Sequence, residues 1–160
     1  MKMNGSLQSQ IEVVDKSTNR ERLSKFRGTA RVQLCNLRFD TGRVEQTHFL
    51  RPKNVNRLKR IFATEGCRRL IPEHHVAALI SQKELDESIK RSNISQDALL
   101  QNTLDEPPLL LFESSNPIQI LHGQHRLRAA QEFLSSGDDW WVVDLYLAGG
   151  LESAPFTYLS

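Results

Sequence analysis

One stretch of the sequence decides the fold: Ile118-Gln119-Ile120-Leu121-His122-Gly123-Gln124-His125-Arg126-Leu127-Arg128-Ala129-Ala130. Its first four residues are mostly apolar, which predicts a short buried strand. Gly123 then permits a tight turn that other residues adopt poorly, and a helix-forming segment follows from Gln124. The stretch therefore predicts a strand, a glycine turn and a helix, an order in which ligands bind between the strand end and the helix N-terminus.

Basic side chains crowd the start of this predicted helix. The first turn of an α-helix presents unpaired N–H groups and about half a positive charge, so each added cation costs about 0.3–1 kcal/mol. The sequence nevertheless places His125, Arg126 and Arg128 just after the turn, and His122 before it. A bound anion explains this arrangement most simply, and phosphate is the usual anion at such a terminus. We therefore predict an anion-binding site at this turn.

The composition is that of an ordinary globular domain. The 160 residues are 39% hydrophobic and 25% charged, which suits one compact domain with its own core. The formal net charge of +2 does not indicate wholesale nucleic-acid binding, and two cysteines make no disulfide framework. The N-terminal residues resemble no secretory signal, and no apolar run approaches the roughly 20 residues of a membrane span. We expect an intracellular protein, cytoplasmic or nuclear, that has no membrane partner.

Charge is unevenly distributed along the chain. Residues 51–69 hold seven basic residues against one acid, whereas acids outnumber bases by seven to three over residues 81–116. The basic segment contains a predicted amphipathic helix over residues 52–64, with Pro52 at its first position and Gly66 as its stop. Its polar side is a candidate nucleic-acid patch that includes Lys53, Arg57 and Arg60. A solvated helix face is the simpler interpretation of the same residues.

The remaining elements predict an α/β (α+β) fold, with a small mixed sheet and packed helices. Ser81 and Glu84 have the spacing of a capping box, and Ser95 is a second candidate helix cap. Leu109–Phe112, which follows two prolines, has the pattern of a buried strand. Strands are predicted over residues 32–39, 109–112, 118–121 and 141–147, and helices over residues 52–64, from 82, 95–100 and 124–135. The short apolar run over residues 76–80 suits a buried strand as well as any other element.

The chain divides into three predicted parts. Residues 1–28 are polar and form a loosely ordered arm, with room for one short helix over residues 20–26. Residues 29–150 form the folded domain. After the Gly149-Gly150 pair, residues 151–160 are predicted to be a truncated or disordered tail.

The segment Gly123-Gln124-His125-Arg126-Leu127-Arg128-Ala129-Ala130 resembles the G-x-H-R-x-x-A box of the ParB/sulfiredoxin-like superfamily. ParB has Gly-Glu-Arg-Arg-x-Arg-Ala in this place, and sulfiredoxin has Gly-Cys-His-Arg. Both families hold the phosphates of a nucleoside triphosphate with this strand, turn and helix. The resemblance extends over roughly residues 30–147, with an insertion between Arg69 and Pro108. The wider arrangement looks most like the N-terminal part of an uncharacterised fungal family associated with mobile elements.

The departures from these families limit what the resemblance implies. Gln124 stands where sulfiredoxin has its reactive cysteine, so we do not expect peroxiredoxin repair. Gln124 also replaces the ParB glutamate, and His125 replaces its first arginine, which leaves nucleotide hydrolysis open. No helix-turn-helix follows the box, so the DNA-binding part of ParB is missing.

Five residues are the predicted phosphate-binding set. The guanidinium of Arg126 offers a rigid fork of donors that matches phosphate oxygens, although a pair with a nearby acid is the alternative. Arg128 serves a ligand or pairs with Glu132 one turn later. The roles open to His125 are donor to phosphate, general base, or capping and packing, and Gly123 and Gln124 supply the turn and a hydrogen-bonding amide.

Metal chemistry has weaker support in the sequence. Cys67 with His74 and His75 matches no standard zinc spacing, and we predict no metal site there. Cys67 is either a reactive thiol beside two arginines or, more simply, a buried structural cysteine. Magnesium is expected to accompany a triphosphate, and Glu113 and Asp144 are the candidate ligands.

The sequence thus favours a nucleotide-binding domain of the ParB/sulfiredoxin-like type. If it is an enzyme, the reaction is triphosphate hydrolysis or phosphoryl transfer, driven by positioning and charge stabilisation. The alternative is a non-catalytic fragment of a larger protein, with a role in protein or nucleic-acid interaction.

Overall fold

The computed structural model describes residues 24–38, 51–101, 106–113 and 117–148. Within these residues the fold is α+β, with four helices and a mixed sheet of five strands. The strands are β1 (Phe26–Gln33), β2 (Leu37–Arg38), β3 (Val76–Ile80), β4 (Ile118–Ile120) and β5 (Trp140–Leu147). The helices are α1 (Pro52–Glu65), α2 (Gln82–Ser92), α3 (Gln96–Leu100) and α4 (Gln124–Phe133).

The strand order in the sheet is β1-β5-β3-β4-β2. The central pair, β3 and β5, is parallel, and so is the pair of β2 and β4. The other two pairs, β1 with β5 and β3 with β4, are antiparallel. Because β4 runs against β3, the helix that follows β4 begins beside the amino end of β3.

The sheet is strongly curled. Its edge strands are β1 and β2, yet only the short 3-10 turn Leu34–Asn36 lies between them. A flat sheet would separate its first and fifth strands by roughly 19 Å, because neighbouring strands lie about 4.8 Å apart. Four residue steps of extended chain reach at most about 14 Å. The sheet must therefore bend until its two edges approach each other.

The hydrophobic core lies between one face of the sheet and the helices. Trp141, Val143 and Leu145 of β5 have no exposed surface, and their neighbours on the adjacent strands are equally buried. The ring of Trp141 lies 5.8 Å, centroid to centroid, from Phe62 on α1. Burying a large apolar side chain contributes about 1.5–3 kcal/mol, so this face of the sheet fixes the positions of α1 and α4.

Trp140 shows why only one of the two tryptophans enters the core. Successive residues of a strand point to opposite faces, and Trp140 accordingly lies on the face that Trp141 does not use. Its ring stacks against two guanidinium groups, with the Cζ of Arg69 at 3.6 Å and that of Arg31 at 5.4 Å from the ring centroid. Arg69 also donates to the backbone carbonyl of Asp138 and to its carboxylate.

Several local predictions are confirmed. Pro52 is at the N-terminus of α1, and Gly66 ends that helix. Ser81 and Glu84 form the complete capping box of α2. The side chain of Ser95 accepts from the backbone N–H of Ala98 at 3.2 Å and caps α3.

Other predicted boundaries were wrong. The predicted single extended segment over residues 32–39 is instead broken by the 3-10 turn into β1 and β2. Since β1 begins at Phe26, ordered structure starts inside the predicted arm. The end of that extended segment at residues 39–40, and most of the arm and tail, lie outside the described residues. Helix α4 ends at Phe133, two residues before the predicted end.

Residues 109–112 do not form a strand of the sheet. Leu109 makes an isolated parallel bridge with Arg31, and the backbone of Arg31 bonds Pro108 and Leu110 on either side of it. The segment therefore touches the free edge of β1 without extending along it. The preceding prolines explain this, because they lack N–H donors for a continuous ladder.

A candidate anion site at the start of helix α4

The turn before α4 requires a glycine. Gly123 has φ of +87° and ψ of +22°, in the left-handed region, where a side chain costs energy. A Cβ atom built on it would also lie 2.6 Å from Cγ1 of Val76 on β3. Close packing on β3 and the left-handed backbone thus both explain why residue 123 is a glycine. Together they fix where α4 begins.

The N-terminus of α4 has no side-chain cap. Its N-cap residue is Gly123, which has no side chain to accept from the first-turn N–H groups, and no acidic residue lies in the first turn. Helix N-termini normally have such an acceptor, because their first four N–H groups have no partner within the helix. The positive end of the helix is therefore left without a counter-charge from its own sequence.

Arg126 lies in this first turn and is half-buried. Among the described residues it forms no ion pair and no hydrogen bond through its side chain. Burial lowers the pKa of its guanidinium, and no neighbouring carboxylate opposes that change. The group stays charged at neutral pH, because an arginine titrates far above it. Arg126 is thus a partly desolvated cation for which the described protein supplies no anion.

His125 joins α4 to the start of α1. Its Nε2 atom accepts a hydrogen bond of 3.0 Å from the backbone N–H of Arg51, the N-cap residue of α1. Since Nε2 is the accepting nitrogen in this arrangement, the ring N–H lies on Nδ1. The ring therefore positions the two helices, and only its Nδ1–H can be offered to a ligand.

Helices α1 and α4 lie side by side and run in the same direction. The contact of Arg51 with His125 joins their first residues, and farther along the Nζ of Lys59 lies 3.1 Å from Oε1 of Glu132. Near the far end, Phe62 packs edge-to-face against Phe133 with a centroid distance of 5.8 Å. Two helix N-termini therefore meet at one edge of the molecule, and α1 also has no acidic residue in its first turn.

His122 precedes the turn, and its surroundings shift the pKa of its imidazole. Burial is the largest influence and lowers the pKa of its imidazole; Asp144 acts in the opposite direction, and the charge of Arg126 lowers the pKa further. The backbone explains this proximity, because Leu121 donates to the carbonyl of Ala77 at 2.8 Å and Ala77 is paired with Asp144 across β3 and β5.

Asp144 belongs to a hydrogen-bonded chain that the sequence did not reveal. Its Oδ1 atom accepts from the hydroxyl of Thr29 at 2.8 Å and lies 3.1 Å from Nδ1 of His75. The other ring nitrogen of His75 lies 3.4 Å from the carbonyl oxygen of Leu70. These residues are far apart in the chain, and only the strand register brings them together. No local spacing could have identified the chain.

The two candidate magnesium ligands do not come together in one site. Asp144 is on β5, and one of its oxygens already has two partners. Glu113 instead lines a groove beside α2, together with Glu84, Glu87 and Arg91. Among the described residues there is no group of three or more histidine, cysteine, aspartate or glutamate side chains arranged to hold a metal ion.

Arg128 and the predicted patch residues lie outside the turn. Arg128 is exposed on α4, and Lys53, Arg57 and Arg60 are exposed on α1. Gln124 is half-buried at the first position of α4. The structure thus brings Gly123, Gln124, His125 and Arg126 to one helix end, which we call the α4 N-terminal site. The patch forms a separate surface.

Cys67 has the environment of a structural cysteine. Burial is the main influence and raises the pKa of its thiol; Arg69 acts against this, and Asp138 adds to it. The Nδ1 atom of His74 lies 3.1 Å from the carbonyl oxygen of Arg68. A thiol with a raised pKa is less often the reactive thiolate, so the neighbouring arginines do not activate it.

Within the described residues, no helix is both long and apolar enough to cross a lipid bilayer.

Comparison with known proteins gives one family. Comparison with curated proteins and with solved structures found no match. A family model described as "Protein of unknown function (DUF3723) N-terminal domain" matches residues 25–157, well over half of the chain. The chain therefore belongs to the DUF3723 N-terminal domain family.

Proposed function

We propose that this domain binds the phosphate groups of a nucleoside triphosphate at the α4 N-terminal site. The observation that carries the proposal is Arg126, a half-buried guanidinium without an ion-pair or hydrogen-bond partner among the described residues. A desolvated charge is costly unless it is paired. Its position in the first turn of an uncapped helix adds to that cost, because the helix end is itself positive. An anion offsets both costs at once.

The contacts follow from the geometry of the turn. The backbone N–H groups after Gly123 are directed along the helix axis, away from the helix, and suit phosphate oxygens. The fork of Arg126 supplies paired, charge-assisted donors. Gln124 can add an amide donor, and His125 can donate through Nδ1 while Nε2 remains bonded to Arg51. Arg128, two residues farther along α4 and exposed, supports the site through its charge.

The start of α1 strengthens the preference for a polyanion. Two N-termini at one edge, neither of them with an acidic residue in its first turn, present a larger positive surface than one helix. A single phosphate occupies one such end, whereas a triphosphate can reach both. The nucleoside part of the proposal comes from the resemblance of the Gly123–Ala130 segment to the ParB/sulfiredoxin-like box.

Magnesium would arrive with the nucleotide. Mg²⁺ keeps several waters and commonly binds through phosphates plus one or two carboxylates, so a complete protein cage is not required. Asp144 is the nearer of the two candidate carboxylates, since it influences His122, and its Oδ2 atom is left for that role. If turnover occurs, we expect triphosphate hydrolysis or phosphoryl transfer by positioning. Gln124 in place of cysteine argues against sulfiredoxin-type repair.

Isothermal titration calorimetry tests the proposal directly. The full chain is titrated with ATP, CTP, GTP and UTP, each with and without MgCl₂, and with pyrophosphate to separate phosphate from base recognition. Arg126→Met should weaken binding roughly 10- to 150-fold, since a hydrogen bond to a charged group contributes about 1.5–3 kcal/mol.

The matched control is Arg91→Met, which removes an exposed arginine from α2 and should bind like the parent. Absence of binding to all four nucleotides and to pyrophosphate would disprove the proposal. Equal weakening by the two substitutions would show a general effect of charge and would also reject the site. Binding of pyrophosphate alone would retain the anion site and reject the nucleotide.

A further inference from the structure

A row of cations lies along the outer face of α1. Lys53, Arg57 and Arg60 are all exposed, and their separations of four and three residues place them on one side of the helix. With a rise of 1.5 Å per residue, the row is about 10 Å long. We call these three residues the α1 basic stripe.

The stripe is electrostatically unfavourable for the isolated domain. Like charges three or four residues apart repel each other on a helix, and Lys53 additionally lies in the positive first turn. Two other cations on or near α1 are paired, since Lys59 contacts Glu132 and Arg68 contacts Glu65. Within the described part of the chain, no salt bridge involves a residue of the stripe.

Because these three positive charges have no ion-pair partner among the described residues, we infer that the α1 basic stripe binds the sugar-phosphate backbone of a nucleic acid. Two of its three cations are arginines, whose planar forks match phosphate oxygens. Contacts to phosphates position a protein on nucleic acid without reading the sequence, so the stripe binds without base specificity.

The fold argues against insertion of α1 into a lipid bilayer. A helix that lies in a membrane surface buries its apolar face among the lipids. In α1 that face is already used, because Val55 and Phe62 are 4% and 5% exposed and belong to the core. Only the polar side remains for a partner.

This surface is different from the α4 N-terminal site. Arg126 is half-buried at the start of α4, whereas the stripe runs along the exposed side of the neighbouring helix. The inference does not depend on nucleotide binding, and either property can be present without the other.

Fluorescence anisotropy with a labelled 20-nucleotide single strand and the corresponding duplex tests the inference. Three phosphate contacts give a slope of log K against log salt of about −2.1 for the single strand and about −2.7 for the duplex, which weakens binding roughly 20- to 40-fold between 50 and 200 mM NaCl. A stripe variant that carries K53Q, R57Q and R60Q should lose this dependence of binding on salt.

A control variant removes the same charge from exposed positions of another helix. It carries K83Q, K90Q and R91Q, all on α2. The stripe variant should remain folded by circular dichroism, because its substitutions relieve repulsion and touch no core residue. Loss of salt-dependent binding in the stripe variant alone supports the inference.

Three results would overturn it. The first is no binding of the parent chain to either nucleic acid at 50 mM NaCl. The second is equal weakening in the two variants, which would mean that net charge and not the stripe matters. The third is equal competition by poly-glutamate at matched charge concentration, which would point to an acidic protein as the partner.

Discussion

Replacing Arg126 with methionine should stabilise the protein without ligand and destabilise it with ligand. Methionine keeps an apolar stem of similar length and removes the guanidinium. A cation in the first turn of a helix costs about 0.3–1 kcal/mol, and α4 has no acidic residue there to offset it. Partial burial of the guanidinium acts in the same direction.

The magnitude can be worked out in melting temperature. For chains of this size, 1 kcal/mol corresponds to about 2–4 °C, so ligand-free Arg126→Met should melt about 1–4 °C above the parent. A nucleotide at 100 times its Kd adds about 2.7 kcal/mol, or roughly 5–11 °C, to the parent. The variant should lose most of that increase, so the order of stabilities reverses when ligand is added.

Differential scanning calorimetry at low and high salt measures both states. The gain without ligand should shrink in 0.5 M NaCl, because salt screens partly exposed charges. Arg91→Met is the matched control, since Arg91 lies in the last turn of α2, where a cation is favourable. That control should melt slightly lower than the parent. A ligand-free Arg126→Met that is less stable than the parent would refute the reasoning, because the guanidinium would then have a favourable partner in the protein.

Three further outcomes follow from the same structure. Gly123→Ala should destabilise the domain by about 2–4 kcal/mol, combining the left-handed backbone with overlap on β3; urea unfolding that matches the parent would contradict this. The pKa of His122 is lowered in the folded protein, so the unfolded chain binds a proton more readily. The free energy of unfolding should therefore fall as pH drops through about 6.5. His122→Gln should flatten this dependence of the free energy of unfolding on pH. In NMR titrations Arg126→Met should raise the pKa of His122, and an unchanged value would separate the two groups. A thiol reagent at pH 8 should modify exposed Cys35 before Cys67, whose pKa burial raises; the reverse order would show that Cys67 is activated.

The sequence predicted those features that depend on near neighbours in the chain. The capping residues Ser81 and Ser95, and the boundaries of α1 at Pro52 and Gly66, act through contacts within one helical turn. The glycine turn before α4 is equally local, so the start of that helix could be predicted at Gln124. Strand alternation is local in the same way, because it lets only one residue of the Trp140-Trp141 pair face the core, and that residue is Trp141.

What the sequence did not reveal depends on strand order and register. Nothing local indicates that β1 and β2, separated by one 3-10 turn, occupy opposite edges of a curled sheet. The proximity of Asp144 to His75 depends on the pairing of β3 with β5. The contact of His125 with Arg51 depends on the parallel packing of α1 and α4. For this reason His125 could be named as a site residue but not recognised as a link between helices.

The small net charge of the chain conceals a local excess of positive charge. Residues 51–69 hold seven basic residues against one acid, and Arg51 at the start of α1 contacts His125 at the start of α4. The basic segment and the α4 N-terminal site are therefore neighbours in the fold. Such a local field attracts anions even when the net charge of the chain is only +2. Two other cations of the described residues are paired, Lys59 with Glu132 and Arg69 with Asp138. The unpaired Arg126 and the α1 basic stripe, which lie on neighbouring helices, are therefore arrangements that a bound anion would stabilise.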